Sequence, residues 1–555
     1  MWWQKEVVYQ VYPRSFKDSN HDGVGDLPGI IEKLDYLDNL GIDILWISPF
    51  FKSPMIDNGY DISDYYQVDP LYGTNEDLEK LIFESKKRGI KILFDLVVNH
   101  CSDQHEWFKK TIENPEGPES KYFILKTGQE LNNWRAIFGG SVWSLLPGTK
   151  DTYYYHTFSK NQPDLNWENP QLRQEIYQMV NYWLEKGVAG FRVDAISYIK
   201  KKLSFPSFKP DGIDGLVSVN TGGNNQPGIE RFLTELREQT FEKYGALTIG
   251  EAANISYDDL KKYVGPQGYF SMIFEFSYDQ PAESKTGNWF EEEAWTVDEW
   301  KHKVYLAQKE IHKIGWSPTH IENHDGPRAV DKFFEEDVPV EVRAKMIATF
   351  YFFLRGTPFI YQGQEIGMTN INYSEIDKYN DLFTLDQYQR ALNAGITQEE
   401  ALKIVSRHSR DNARTPMQWS FEKNAGFSET KPWLDINENY KYINVKKQEE
   451  IKDSVLNYYK KMISLRKDYK RYSALSFGSF QSLFEEKSNL VAYERSNEGQ
   501  RIWVITNFQK NKRTLILATK MKVLLDSQSK DMLEREIEGE ITLKGYQSLV
   551  LEFIE

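Results

Sequence analysis

Arg192 and Asp194 stand two residues apart in Gly190-Phe191-Arg192-Val193-Asp194-Ala195, a short apolar stretch that reads as a buried strand. Side chains alternate faces along a strand, so these two point the same way. A guanidinium beside a carboxylate favours its ionised form and fixes its orientation. That suits a nucleophile, but it equally suits a structural ion pair at a strand end. Three other segments of the same kind change the balance. They are Asp95-Leu96-Val97-Val98-Asn99-His100, Ile249-Gly250-Glu251-Ala252 and Glu322-Asn323-His324-Asp325. A single strand-end acid can serve as a helix N-cap. Four such segments, with Arg192 and two histidines, point to one acidic cleft.

Several acids in a dry cleft, with no Cys/His metal set, suggest glycoside hydrolysis. A retaining mechanism needs an ionised carboxylate as nucleophile and a protonated carboxyl as general acid. The two carboxyls then lie about 5–5.5 Å apart. Repulsion and burial push their pKa values apart. Asp194, beside Arg192, is expected to stay ionised. Glu251 follows a glycine, has no adjacent cation, and is expected to keep its proton. Asp325 would stabilise the oxocarbenium-like transition state, and His100 and His324 would bind hydroxyls.

Such residues must be carried by a rigid frame. Eight apolar runs read as strands: Val7 to Tyr12, Ile42 to Ile47, Ile90 to Val98, Gly190 to Val193, Leu247 to Gly250, Met272 to Phe276, Thr319 to Glu322 and Phe359 to Tyr361. Helical segments, such as Leu27 to Leu40, alternate with them. Alternation of this kind implies an α/β fold with a parallel sheet. Eight units imply a closed (β/α)8 TIM barrel, with an open doubly wound sheet as the alternative. Barrel chemistry sits at the C-terminal strand ends, where all four polar segments fall. The barrel is expected to span 1–100 and 170–471. The polar, aromatic and Gly/Pro-rich stretch 101–169 is too long for a loop and reads as a small domain inserted after the third strand. An irregular stretch from about 368 to 444 is expected to cover the barrel mouth. From 472 to 555, short alternating runs such as Leu490-Val491-Ala492-Tyr493 indicate a C-terminal all-β domain of sandwich type.

The 555-residue length requires more than one domain. Hydrophobic residues at 40% and aromatics at 14% suit a folded enzyme and exclude a disordered chain. The net charge of −14 argues against nucleic acid and anionic membrane as partners. Cys101 is the single cysteine, so no internal disulfide forms. Met1-Trp2-Trp3-Gln4-Lys5-Glu6 lacks a basic leader followed by an apolar core, and no apolar run reaches the length of a membrane span. The expectation is a cytoplasmic monomer or weak homo-oligomer acting on a small oligosaccharide.

The four strand-end segments resemble, in order, the ordered regions of the α-amylase superfamily, glycoside hydrolase family 13. The similarity extends over nearly the whole chain. It is closest to the oligo-1,6-glucosidase and α-glucosidase branch, and within it to bacterial exo-acting α-1,4-glucosidases. That branch shares Asp57-Asn58-Gly59-Tyr60-Asp61, Gln162-Pro163-Asp164-Leu165-Asn166-Trp167 and Arg410-Asp411-Asn412-Ala413-Arg414-Thr415-Pro416-Met417-Gln418-Trp419. The resemblance implies Asp194 as nucleophile, Glu251 as acid/base and Asp325 as transition-state stabiliser. It also implies a closed pocket for one terminal glucose. There Asp57 and Arg414 would pair on the outer hydroxyls, Tyr60 would stack on the ring, and Phe158 and Gln162 would line the wall. Taken alone, Arg414 reads as a loop salt bridge and Tyr60 as core.

Asp18-Ser19-Asn20-His21-Asp22-Gly23-Val24-Gly25-Asp26 places oxygen donors at alternate positions around glycines, which suits a hard cation such as Ca²⁺ or Mg²⁺. It is not an EF-hand, because its twelfth position is Gly29. A turn capped by aspartates is the other reading. The resemblance implies a structural Ca²⁺ loop with Asp18, Asn20, Asp22, the Val24 carbonyl and Asp26 as ligands.

In this branch the residue after the nucleophile tracks linkage: valine accompanies α-1,6 preference, and smaller residues or threonine accompany α-1,4. Here it is Ala195, and Glu251-Ala252-Ala253-Asn254 also looks like the α-1,4 type. The expected activity is a retaining, exo-acting α-1,4-glucosidase on short maltooligosaccharides. The alternatives are oligo-1,6-glucosidase, sucrose isomerase and trehalose-6-phosphate hydrolase. A more distant one is a non-catalytic transporter-associated homologue, which would lack the acids and carry a membrane span.

Overall fold

The computed structural model describes residues 1–554 other than 213, 275, 279–280, 283, 285, 335–336 and 530–533. The strands β1 (Val8–Val11), β2 (Ile44–Ile47), β3 (Lys91–Val97), β4 (Gly190–Asp194), β5 (Leu247–Gly250), β6 (Met272–Ile273), β7 (Pro318–Thr319) and β8 (Thr357–Tyr361) form one sheet. Its order is β6-β5-β4-β3-β2-β1-β8-β7, and every neighbouring pair is parallel. This is a TIM barrel. Its interior is filled by Val8, Ile44, Trp46, Leu93, Leu247, Ile249, Met272 and Phe359, while a larger apolar cluster fills the space between strands and helices. Strands buried on both faces explain why these runs are continuously apolar rather than alternating.

Register sets the chemistry. Arg192 lies beside Asp95 across β4 and β3, and Val193 lies beside Gly250 across β4 and β5. Asp194 and Glu251 therefore emerge together at the C-terminal edge. Gly190 starts β4 at φ 155°, and a Cβ there would meet the Leu247 carbonyl oxygen at 1.8 Å. Only glycine permits that approach of β4 to β5.

Two strands are shorter than their sequences suggest. β7 ends at Thr319, and Glu322 has left the sheet to receive Arg328 Nη1 at 3.2 Å and the Ala329 N–H at 2.8 Å. β6 ends at Ile273; residue 275, within the expected strand, lies outside the described residues.

The segment after β3 carries a helix (Glu106–Glu113) and a three-stranded antiparallel sheet of Leu125–Thr127, Thr152–Tyr155 and Trp143–Leu145. A second excursion, after β4, joins it. Val217–Ser218 pairs with Trp134–Arg135, and Phe205 packs against Trp134, Trp143 and Tyr155. The stretch over the mouth is less irregular than expected: it contains the helices Leu382–Asn393 and Gln398–His408. The C-terminal region holds a six-stranded antiparallel sheet from Ser479 to Phe553. Its longest strand, Arg513–Asp526, shifts register twice, which lets it bend.

Candidate active site

Arg192 is the hub of the C-terminal face. It is 3% exposed and grips three carboxylates: Asp95 and Asp194 through Nη1, each at 2.7 Å, and Glu251 through Nη2 at 2.9 Å. Glu251 has no cation adjacent in sequence; the structure supplies one from β4. The correction follows from register, since β5 lies directly beside β4 and its final carboxylate reaches back over the arginine. The second Glu251 oxygen accepts the Ala195 N–H at 2.9 Å. Ala195 makes this bond from a left-handed conformation, φ 44° and ψ 31°.

Three carboxylates on one guanidinium leave surplus negative charge in a buried place. Burial pushes the Asp194 pKa well up. Glu251 and Asp95 push in the same direction, and Arg192 opposes them. Asp95 is likewise raised, by burial against Arg192 and His324. Groups coupled this tightly titrate as a unit, and a retained proton belongs to the cluster. The expectation of a plainly ionised Asp194 is thus too simple.

Asp325 stands apart electrostatically. Burial acts to raise its pKa but is outweighed by His324, Arg410 and Arg414, which hold it well below the usual carboxylate range. His324 Nε2 lies 3.0 Å from Asp325 Oδ2, Arg414 Nη2 3.0 Å from Oδ1, and Arg410 Nη1 3.4 Å from Oδ1. Gln10 Nε2 lies 2.8 Å from His324 Nδ1. The Tyr60 hydroxyl donates to Asp95 Oδ2 at 3.0 Å and meets His324 Nε2 at 2.5 Å. The Tyr60 and His324 rings stack, with centroids 5.3 Å apart. Tyr60, His324 and Asp325 thereby join the Arg192 cluster into one polar floor.

The wall comes from the inserted segment. Gln162 Nε2 donates to Asp57 Oδ2 at 3.0 Å and lies 3.3 Å from His100 Nε2. His100 Nε2 also sits 3.0 Å from the Tyr60 carbonyl oxygen. Burial lowers the His100 pKa, so its ring is neutral near pH 7. Phe158 packs on His100 with centroids 5.1 Å apart. Beneath the wall, buried Lys201 pairs with Asp164 at 2.6 Å and donates to Asn99 Oδ1 at 3.0 Å. Asp164 also accepts the Thr157 N–H and hydroxyl, at 2.7 and 2.6 Å. This knot pins the loop that carries Phe158 and Gln162 to the end of β3.

The expected pairing of Asp57 with Arg414 is incorrect. Asp57 Oδ1 meets Arg410 Nη2 at 3.2 Å, while Arg414 is fully buried, bonding Asp325 and, through Nε, the His324 carbonyl oxygen at 3.0 Å. The two arginines lie four residues apart around the turn Asp411–Arg414. Arg410 flanks its mouth side and Arg414 its β7 side, so the pocket partners divide between them. Asp381 completes the group, 2.6 Å from Arg410.

This arrangement can do acid chemistry on a small neutral ligand: three carboxylates on one guanidinium, an aspartate held ionised by His324 and two arginines, and amide, imidazole and guanidinium donors around. Residues 10–474 match the α-amylase catalytic domain family, and residues 490–550 match the α-amylase SusG C-terminal domain. The chain belongs to the α-amylase family. It is 41% identical over 559 residues to the oligo-1,6-glucosidase of Parageobacillus thermoglucosidasius, covering 99% of this chain and 98% of that protein. It is 37% identical over 570 residues to the trehalose-6-phosphate hydrolase of Bacillus subtilis (strain 168), covering 99% and 98%. Among solved structures, isomaltulose synthase from Klebsiella sp. LX3 superposes with a TM-score of 0.93 at 37% identity, over all of both chains. The protein is an α-amylase-family glycoside hydrolase. Among the described residues, no helix is long and apolar enough to cross a membrane.

Sequence reasoning passed over four residues of this α-amylase-family site. Asp95 was visible as a strand acid but had no role. Lys201, Arg410 and Asp381 were unassigned, because nothing local distinguishes them from surface charges. Only Arg410 had a sequence signal, its position at the head of the Arg410–Trp419 motif.

The loop Asp18–Asp26 folds on itself. Asp18 Oδ1 accepts the Asn20 and His21 N–H groups at 3.1 and 2.7 Å, and its Oδ2 accepts Gly23 N–H at 2.9 Å. Asn20 and Asp22 accept from Asp22 and Val24 at 3.0 and 2.8 Å. Asp26 caps the next helix through the Gly29 N–H at 2.6 Å and takes the Ser19 N–H and hydroxyl. Among the described residues, no group of three or more His, Cys, Asp or Glu is placed to share a metal. A cation here would depend on Asn20 and the Val24 carbonyl as much as on the aspartates.

Proposed function

We propose that this protein is a retaining, exo-acting α-glucosidase. In this reading Asp194 is the nucleophile, Glu251 the acid/base and Asp325 the transition-state stabiliser. The observation that carries it is the shared guanidinium: Asp194 and Glu251 hang on adjacent nitrogens of Arg192. Carboxyls held that close suit direct attack on a sugar carbon, whereas an inverting pair stands about 6.5–9.5 Å apart to admit a water. In this reading Glu251 gives a proton to the leaving oxygen as Asp194 forms the glycosyl ester, and then takes one from the water that opens that ester. Asp325, held ionised, faces the developing positive charge. Asp57, His100, Gln162, Arg410 and Tyr60 surround one terminal glucose, and Arg414 holds Asp325.

For linkage, α-1,4 is the reading we favour, on Ala195. A branched side chain beside the nucleophile would crowd the leaving sugar; Ala195 has one methyl. The second reading is α-1,6, favoured by relatives such as the Parageobacillus oligo-1,6-glucosidase. Comparing kcat/KM on maltose, isomaltose, sucrose and trehalose-6-phosphate tests both. Highest turnover on maltose supports α-1,4; highest on isomaltose selects the second reading; inactivity on both rejects the glucosidase.

The Asp18–Asp26 loop is proposed as a structural Ca²⁺ or Mg²⁺ site through Asp18, Asn20, Asp22, the Val24 carbonyl and Asp26. Bound metal in the dialysed protein, and a lower melting temperature after chelation, are expected. A metal-free protein whose melting is unmoved by either ion would reject it.

A further inference from the structure

Arg410 stands among three carboxylates and does not divide itself evenly. Its Nη2 lies 2.6 Å from Asp381 Oδ1, and its Nε donates to the same oxygen at 2.8 Å. The contact to Asp57 is 3.2 Å and the one to Asp325 is 3.4 Å. Charge-assisted N–H···O bonds of full strength fall at about 2.7–2.9 Å. Asp381 therefore takes most of the guanidinium, and the two pocket acids are held loosely. Both acids need free oxygens if they are to accept sugar hydroxyls.

Asp381 is fixed from several sides. It is fully buried and heads the helix Leu382–Asn393. Its Oδ1 accepts the Phe383 N–H at 3.1 Å, and its Oδ2 accepts the Thr384 hydroxyl at 2.6 Å. The Asn380 and Asp381 N–H groups both donate to Asp411 Oδ2, at 2.7 and 3.1 Å. Burial acts to raise the Asp381 pKa, but Arg410 and Arg414 outweigh it and hold the group at about 2. A helix N-cap needs no charge, since a serine or asparagine serves as well. A buried carboxylate is costly unless it is paired, so a charged cap at this place points to a second task. Among the described residues, the pocket group to which Asp381 bonds is Arg410.

We propose that Asp381 is a positioning residue for sugar binding: it holds Arg410 back from Asp57 and Asp325, so that both acids meet the ligand with oxygens free. The inference rests on the glucosidase reading above and deepens it. Without the Asp381 charge, Arg410 closes on Asp57 and Asp325, and each arriving hydroxyl has to displace an ion pair. Asp325 already carries Arg414 and His324, so what it loses is a hydroxyl contact rather than its charge. That loss falls on bound substrate and transition state alike, and it appears in KM rather than kcat.

The experiment measures kcat and KM on maltose and isomaltose, and calorimetric binding of glucose, for the full-length wild type, Asp381→Asn, Arg410→Met and the double variant. Asp381→Asn should raise KM and weaken glucose binding by about tenfold, the size of one hydrogen bond to a charged group. Its kcat should stay within about threefold of wild type. Because Asp381 acts through Arg410, the double variant should have the same KM as Arg410→Met. Thr384→Val weakens the same helix cap and leaves the carboxylate in place, so it should lower the melting temperature and leave KM unchanged. An unchanged KM in folded Asp381→Asn overturns the proposal, and so does a fall in kcat without a rise in KM. A rise in KM in Thr384→Val equal to that in Asp381→Asn also overturns it and makes Asp381 a cap only. If Asp381→Asn does not fold, the double variant against Arg410→Met decides: a further rise in KM overturns the proposal, and no rise sustains it. A wild-type protein that neither cleaves a disaccharide nor binds glucose rejects the glucosidase reading, and the proposal falls with it.

Discussion

Replacing Ala195 with valine tests strain and specificity together. Ala195 sits at φ 44°, ψ 31°, within a buried cluster that includes Trp134, Tyr155 and Tyr198. Alanine tolerates the left-handed region at a cost of about 1–2 kcal/mol, and a β-branched residue is worse there. Two added methyls in a filled cluster cost about 1–3 kcal/mol more. The wild type already carries the alanine strain, so the expected loss in urea unfolding is the packing cost of about 1–3 kcal/mol together with the added strain of β-branching. The new methyls also stand beside the nucleophile, where a methyl-scale change is worth about 1–3 kcal/mol of discrimination. The ratio of kcat/KM for maltose over isomaltose should fall by about tenfold. Ala195→Gly is the control. It relaxes the backbone while losing one buried methyl, so its stability should change by less than about 1 kcal/mol, and its linkage ratio should hold. Unchanged stability in Ala195→Val would refute the strain reasoning. An unchanged ratio in a folded Ala195→Val would refute the steric account of linkage.

Glu251→Gln should lower the rate on maltose by roughly 10²–10⁴ and lose far less on a glucoside with an acidic phenol as leaving group; equal losses on both would remove Glu251 as the acid. Lys201→Met strands the buried Asp164 carboxylate and should cost about 3–5 kcal/mol in chemical unfolding, with a raised KM as the loop bearing Phe158 and Gln162 loosens. A loss below about 1 kcal/mol would show that Lys201 anchors nothing. The pH dependence follows from the shifts. The nucleophile must be ionised, and the cluster around Asp194 is pushed up by burial and its neighbouring carboxylates. So kcat/KM should fall with decreasing pH well before the ordinary aspartate value of about 3.9. Asp325, held down by His324, Arg410 and Arg414, stays charged throughout that fall. A profile flat down to about pH 4 would contradict this.

The barrel was legible because strands covered on both faces read as predominantly apolar runs. Val8–Val11, Ile44–Ile47 and Lys91–Val97 each fall within such a run. Asp194 and Glu251 were legible for the same reason: one is the last residue of β4 and the other the first after β5. Less visible was anything set by contacts across excursions. The helices Leu382–Asn393 and Gln398–His408 do carry caps in the sequence. Asp381 accepts from the Phe383 and Thr384 N–H groups, and Thr397 from Glu400. Their polar composition hid the helical period. Arg410 and Arg414 could not be told apart, because positions four apart share a helix face and only tertiary placement separates Asp57 from Asp325. The cation beside Glu251 was not legible because it comes from the neighbouring strand, and Lys201 stayed unassigned because its partner Asp164 is distant in sequence.

The central claim is that Asp194 attacks the sugar and Glu251 drives the leaving group, so the anomeric configuration survives two displacements. Proton NMR during the first minutes of hydrolysis of an α-glucoside of an acidic phenol measures this directly, since the terminal glucose is the only sugar released and each anomer gives its own signal before mutarotation mixes them. Retention makes α-glucose the first anomer to appear. β-Glucose as the first product would mean a single displacement by water and would contradict it.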